Sequence, residues 1–141
     1  MAVTFQNQDI TFTLKDKLKI KAWIKRIIEA EKNTLGELNF VFTSDANLLN
    51  INVQFLNHNT YTDIITFDYC EAQQINGDII ISVERVRENA RTFNSPFENE
   101  LKRVIIHGVL HLCGYKDKSK KDVELMRRKE NAALRKFSMS S

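Results

Sequence analysis

A chain of 141 residues with 43% hydrophobic content can bury one real core and is too short for two ordinary domains, so a single domain over residues 1–141 is expected. One proline, four glycines and no internal repeat leave little linker or low-complexity character, and no run approaches the ~20 apolar residues of a membrane span. The net charge of +3 is unevenly spread: residues 1–100 carry 10 Lys/Arg against 14 Asp/Glu, and residues 101–141 carry 11 against 4.

In chain order, VTFQ reads as a strand. Ile20, Trp23, Ile24, Ile27 and Ile28 then follow the i, i+3, i+4, i+7, i+8 pattern of an amphipathic helix, with Lys15, Lys17, Lys21, Lys25 and Arg26 mostly on its other side. A second strand, LNFVFT, ends at Ser44-Asp45, which can cap a helix running to about Phe55. TDIITFDY and GDIIISV are short, β-branched and preceded by polar or turn residues, so they read as strands three and four, with a helix from about Val83 to Arg91 after them.

SPFE carries the clearest start signal: Ser95 as N-cap, Pro96 at the first helical position and Glu98 positioned to complete a capping box. That helix runs through ELKRVIIHGVLHLC and stops at Gly114, which can take the left-handed conformation that closes a helix. Ser119 begins a last helix with an apolar stripe of Val123, Met126, Ala133, Leu134 and Phe137. The order β-α-β-α-β-β-α-α-α predicts an α+β domain, a small mixed sheet of about four strands packed with about five helices.

His107 and His111 stand one helical turn apart and so project from one face. By themselves they also fit two satisfied core histidines. Gly114 and Asp117 favour a metal site over that alternative, because the glycine can reverse the chain so that the aspartate folds back beside the pair. Two imidazoles and a carboxylate make a three-ligand set that leaves a fourth tetrahedral position open, the mark of catalytic zinc. The spacing His-x3-His-x2-Gly-x2-Asp matches H-E-x-x-H-x-x-G-x-x-H of metzincin proteases with Asp in the last ligand position. Cys113 lies about 200° round the helix from His111 and is expected to point to the core.

The position after the first histidine is Gly108, where H-E-x-x-H proteases carry their general base, so a peptidase is disfavoured. A metal can still polarise a phosphoryl oxygen, and the small Gly108 is expected to leave space beside it. The basic segment KDKSKKDVELMRRKENAALRKF suits a nucleic-acid partner, and a merely solvated helix face accounts for it equally well.

HGVLHLCGYKD resembles the signature of the YbeY family, metal-dependent endoribonucleases implicated in ribosomal RNA maturation, whose common form is H-G-x-L-H-L-x-G-Y-D-H. The resemblance extends to TFQNQDI, to LN followed by TDIITF in place of T-D-V-L-S-F, to GDIIIS and to a Met126-containing final helix. It implies a zincin-like α+β fold, His107 and His111 as zinc ligands and, at a position usually histidine, Asp117 as the third. Two departures stand out. Lys116-Asp117 replaces Asp-His, so an anionic oxygen lowers the effective charge on the metal. Leu56 stands where many members have an arginine suited to phosphate. His58 fits a place in an RNA-facing cleft or a bland surface position, and Asp63 and Asp78 fit either cleft walls or turn caps.

The expected function is a single-strand-specific, metal-dependent endoribonuclease acting in ribosomal RNA processing, maturation and ribosome quality control, with one zinc ion and no nucleotide cofactor. Its expected partner is RNA, either ribosomal RNA or the small ribosomal subunit, and no membrane. The alternative is a non-catalytic RNA-binding ribosome-assembly factor with a structural metal site. MAVTFQNQDI lacks a basic start and a long apolar run, and Cys70 and Cys113 sit far apart in apolar segments, which together predict a cytoplasmic protein with reduced thiols.

Overall fold

The structure, a computed structural model, describes residues 2–56 and 62–139, with Leu56 described by its backbone alone. His58 therefore lies outside the described residues. The elements follow the predicted order: β1 (Ala2–Gln8), α1 (Lys17–Ala30), β2 (Thr34–Thr43), α2 (Asp45–Leu56), β3 (Ile64–Asp68), β4 (Gln74–Ser82), α3 (Val83–Thr92), α4 (Phe97–Leu112) and α5 (Lys120–Met139).

The four strands form one mixed sheet in the order β1-β2-β4-β3, with β1, β2 and β4 parallel and β3 antiparallel at the edge. Side chains alternate across a strand, so Leu38, Phe40 and Phe42 of β2 and Ile75, Ile79 and Ile81 of β4 share one face. That face meets α1 and α4 in the main core, where Ile20, Trp23, Ile24, Ile27 and Ile28 of α1 are all buried. Ile65 and Ile80 face the opposite way and pack under Leu48 of α2. On α5, Met126, Ala133 and Phe137 reach the core, and Trp23 Nε1 donates to the Ala133 carbonyl at 2.7 Å, locking α5 to α1. Val123 departs from the predicted stripe: it is half exposed on a cleft between the helices.

Two of the helix starts are capped as their sequences suggest. Ser44 Oγ accepts from the Asn47 amide, while Ser119 Oγ and Asp122 exchange bonds in a capping box at α5. The capping box predicted at Ser95 does not form. Helix α4 begins at Phe97 with Pro96 as its cap and no side-chain hydrogen bond to it. Ser95 is engaged elsewhere, its amide donating to the Ala90 carbonyl while Asn94, at φ 53°, closes α3 in a Schellman turn. The local closure of α3 thus takes the Ser95 amide that a capping box would give to Glu98.

Gly108 does not open space beside the histidines. A Cβ there would stand 2.9 Å from Ile64 Cδ1 and 3.1 Å from Ile79 Cδ1, so its missing side chain lets α4 lie close on β3 and β4. Among the described residues no helix is long and apolar enough to cross a membrane.

Candidate metal centre

Helix α4 ends in a full Schellman motif, in which the Gly114 amide donates to the His111 carbonyl and the Tyr115 amide to the Leu110 carbonyl. Gly114 takes φ 109°, the conformation that favours glycine, and the chain doubles back. Asp117 comes to lie 3.2 Å from His111 Nε2 and 3.5 Å from His107 Nε2, all measured at Asp117 Oδ2. Ligand atoms of the three residues lie within 4.8 Å of one another, the one such group among the described residues. Ligands held ~2.0–2.2 Å from a tetrahedral ion stand about 3.3–3.6 Å apart, so the two His-Asp separations suit an ion placed between them.

The other nitrogen of each imidazole is engaged. His111 Nδ1 lies 2.9 Å from the Tyr115 carbonyl, a group that only accepts, so Nδ1 donates to it, and Nε2, 3.2 Å from Asp117 Oδ2, is the atom left to share a proton or a cation with that carboxylate. His107 Nδ1 lies 2.6 Å from Glu130 Oε2. Burial works to raise the Glu130 carboxyl, but hydrogen bonds from His107 and Arg103 outweigh it and hold the group below the usual carboxylate range. Glu130 is therefore ionised and accepts, leaving His107 Nε2 free to ligate as well. A carboxylate behind a ligating histidine is the common means of orienting the ring and raising its basicity. In the metal-free chain burial lowers the His107 pKa, and Glu130, Asp117 and Asp63 more than restore it, so the net shift is upward.

Glu130 is the residue that sequence reasoning missed. It sits at i+4 from Met126 in the buried stripe of α5 and is only 4% exposed. A carboxylate inside an apolar stripe was the available signal. Arg103 Nη1 meets Glu130 Oε1 at 3.0 Å and its Nη2 meets Asn131 Oδ1 at 2.9 Å, so α4 and α5 are joined behind the site. Tyr115 Oη donates to Glu31 Oε1 at 2.7 Å and Lys129 Nζ to Glu31 Oε2 at 3.2 Å, pinning the turn after Gly114 to α1 and α5.

The structure separates the two aspartates that the sequence left open. Asp63 lines a cleft of about 370 Å³ that also reaches His107 and Asp117. Asp78 lies within β4, where it accepts from Asn39 Nδ2 at 3.2 Å, and is not among the cleft residues. Arg127 lines the cleft with a 59% exposed side chain and a loose 3.8 Å approach to Glu130. Cys113 is a free thiol packed against the core, as its helical angle predicts.

Fold and site together define a small α+β protein with a candidate His-His-Asp metal centre at the mouth of a cleft. The family model of endoribonuclease YbeY matches residues 3–138. The chain is 53% identical to the endoribonuclease YbeY of Flavobacterium psychrophilum over 131 residues, 93% of this chain and 94% of the relative. It is 46% identical to that of Bacteroides fragilis over 134 residues, 95% and 96% of the two chains. The solution structure of TM1509 from Thermotoga maritima superposes with a TM-score of 0.69 at 28% identity, covering 96% of this chain and 89% of that one. The chain belongs to the endoribonuclease YbeY family.

Proposed function

We propose that the chain, acting as one domain, is a metal-dependent endoribonuclease that cuts single-stranded RNA in ribosomal RNA maturation and ribosome quality control. His107, His111 and Asp117 hold one zinc ion, and the place of action is the cytoplasm. The observation that carries this reading is the pair of Nε2 atoms, whose Nδ1 partners are already committed to the protein, meeting Asp117 within the reach of one ion. Membership of an endoribonuclease family supplies the reaction class.

Zinc bound there supplies Lewis acidity toward a phosphoryl oxygen. The chain's own contribution is positional: Glu130 and the Tyr115 carbonyl hold the two rings in their ligating tautomers. Arg127, exposed on the same cleft, can neutralise a phosphate in the role that Leu56 leaves empty. The backbone of the single strand is then held beside His107 with its scissile group facing the three ligands.

Metal content of the purified protein, together with cleavage of structured ribosomal RNA by wild type and His111→Ala at matched folding, tests the reading. About one zinc per chain and cleavage that His111→Ala abolishes are expected. Protein that binds ribosomal RNA tightly but cleaves none of it with zinc, manganese or magnesium present would leave the assembly-factor reading instead.

A further inference from the structure

Helix α4 presents Glu100, Arg103, His107 and His111 along one face, at i, i+3, i+7 and i+11. Glu100 is 8% exposed and lines the cleft beside His107. Among the described residues no buried side-chain oxygen is left unsatisfied, so the Glu100 carboxylate opens onto the cleft, where a donor on a ligand can meet it. Burial, opposed by Arg103, pushes its carboxyl above the ordinary range. The Arg103 guanidinium itself is committed to Glu130 and Asn131.

The surroundings narrow what can satisfy Glu100. A second metal ion is disfavoured, because His107, His111 and Asp117 are the only described residues that bring three ligand atoms together. A phosphate at Glu100 itself is disfavoured, because a carboxylate repels an anion, and the backbone phosphate belongs with Arg127, the more exposed cation of the cleft. The cleft wall also carries Asn89, a donor and acceptor, and Phe93, whose ring is 63% exposed. An acceptor, an amide and an unpaired aromatic ring in a cavity of about 370 Å³ suit a planar, donor-bearing heterocycle.

We propose that this cleft is a base-binding subsite of the nuclease, in which Glu100 and Asn89 take the hydrogen-bonding edge of an amino-bearing RNA base, cytosine above uracil, and Phe93 stacks on its face. Cytosine offers its N4 amino group to the carboxylate, whereas uracil presents the O4 carbonyl at that place and is repelled. The subsite rests on the nuclease reading for its substrate class, and it makes the base beside the scissile phosphate the specificity determinant.

The test uses the full chain stripped of metal by chelation, so that binding is read without cleavage. Fluorescence anisotropy with labelled single-stranded C8 and U8 RNA at one salt concentration should show C8 bound about tenfold more tightly, within the range of a good base-edge contact. Glu100→Gln, whose amide can serve either base, should reduce the preference to less than about twofold. Phe93→Ala should weaken both oligonucleotides by about fivefold or more. Equal wild-type affinity for C8 and U8, or an undiminished preference in folded Glu100→Gln, overturns the proposal. If Glu100→Gln does not fold, Asn89→Ala and Phe93→Ala decide: full affinity for both RNAs in both variants overturns it, and loss supports it. Metal-supplemented cleavage without C/U preference sinks the subsite alone, while preferential binding with no cleavage sinks the nuclease reading alone.

Discussion

His107 and His111 each commit Nδ1 to the protein and turn Nε2 toward Asp117, so removing either ring deletes a candidate ligand while the turn that places Asp117 keeps its backbone bonds from the Gly114 and Tyr115 amides. His107→Ala and His111→Ala should each lose most bound metal in a chelator-competition assay while far-UV circular dichroism stays unchanged. Asp117→Ala should behave likewise, and Asp117→His should restore binding. An unchanged affinity in Asp117→Ala would place that carboxylate outside the site. Glu130→Gln keeps the shape but removes the charge behind His107, and a loss of metal affinity of about 10–100-fold is expected, readable by competition with a zinc dye. The cysteines make a separate case. Burial, joined by Asp68, lifts Cys70 to about 11, and burial lifts Cys113 to about 11 despite a bond to Asn33. Alkylation of the native protein at pH 8 should be slow, rising as pH climbs toward 11 and becoming fast on unfolding; rapid native labelling at pH 8 would contradict this.

At the scale of elements, α4 is the part on which the site depends. Its buried side needs Gly108 for close approach to β3 and β4, and its partly exposed side carries the two histidines of the candidate site. Gly108→Ala pushes a methyl against Ile64 and Ile79, both core-facing, and overpacking of this kind costs about 1–3 kcal/mol. A melting temperature lower by roughly 4–10 °C is expected, along with weaker metal binding as the helix shifts. A melt indistinguishable from wild type would mean that the sheet yields without effect. The failed prediction of a capping box at Ser95 also belongs here. Local pattern marks where a helix can start, but Ser95 sits in a junction whose amide closes the preceding helix, and one residue cannot serve both geometries.

Across the whole molecule, the excess of positive charge in residues 101–141 is divided by the fold. Arg103 and Lys129 are turned to internal partners, whereas Arg127 faces the cleft. RNA affinity should therefore fall with salt by roughly 0.7 log units per log unit for each phosphate neutralised on a single strand, with a slope smaller than the count of basic residues in α5 would give. Chelation should abolish cleavage with less than about a threefold loss of RNA affinity, since the backbone contacts lie on side chains and not on the ion. Cleavage that persists in chelator would count against a metal-dependent reaction.

By itself the sequence determined the order and type of the nine elements among the described residues, because local signals mark them: five apolar residues at helical spacing in α1, and short β-branched runs preceded by polar or turn residues in β3 and β4. It also determined the His107-His111-Asp117 constellation, since a helical turn followed by a glycine-closed reversal is a short-range geometry that spacing encodes. What only the tertiary structure decided depends on contacts between residues distant in sequence. Glu130 reaches His107 across 23 positions, Tyr115 reaches Glu31 across 84, and Asp63 joins the cleft while Asp78 stays in the sheet. Gly108 shows the difference most directly: the sequence gives its size, but whether the space it leaves faces the metal or the sheet depends on how α4 is rotated, and the burial of its apolar stripe against β3 and β4 sets that rotation.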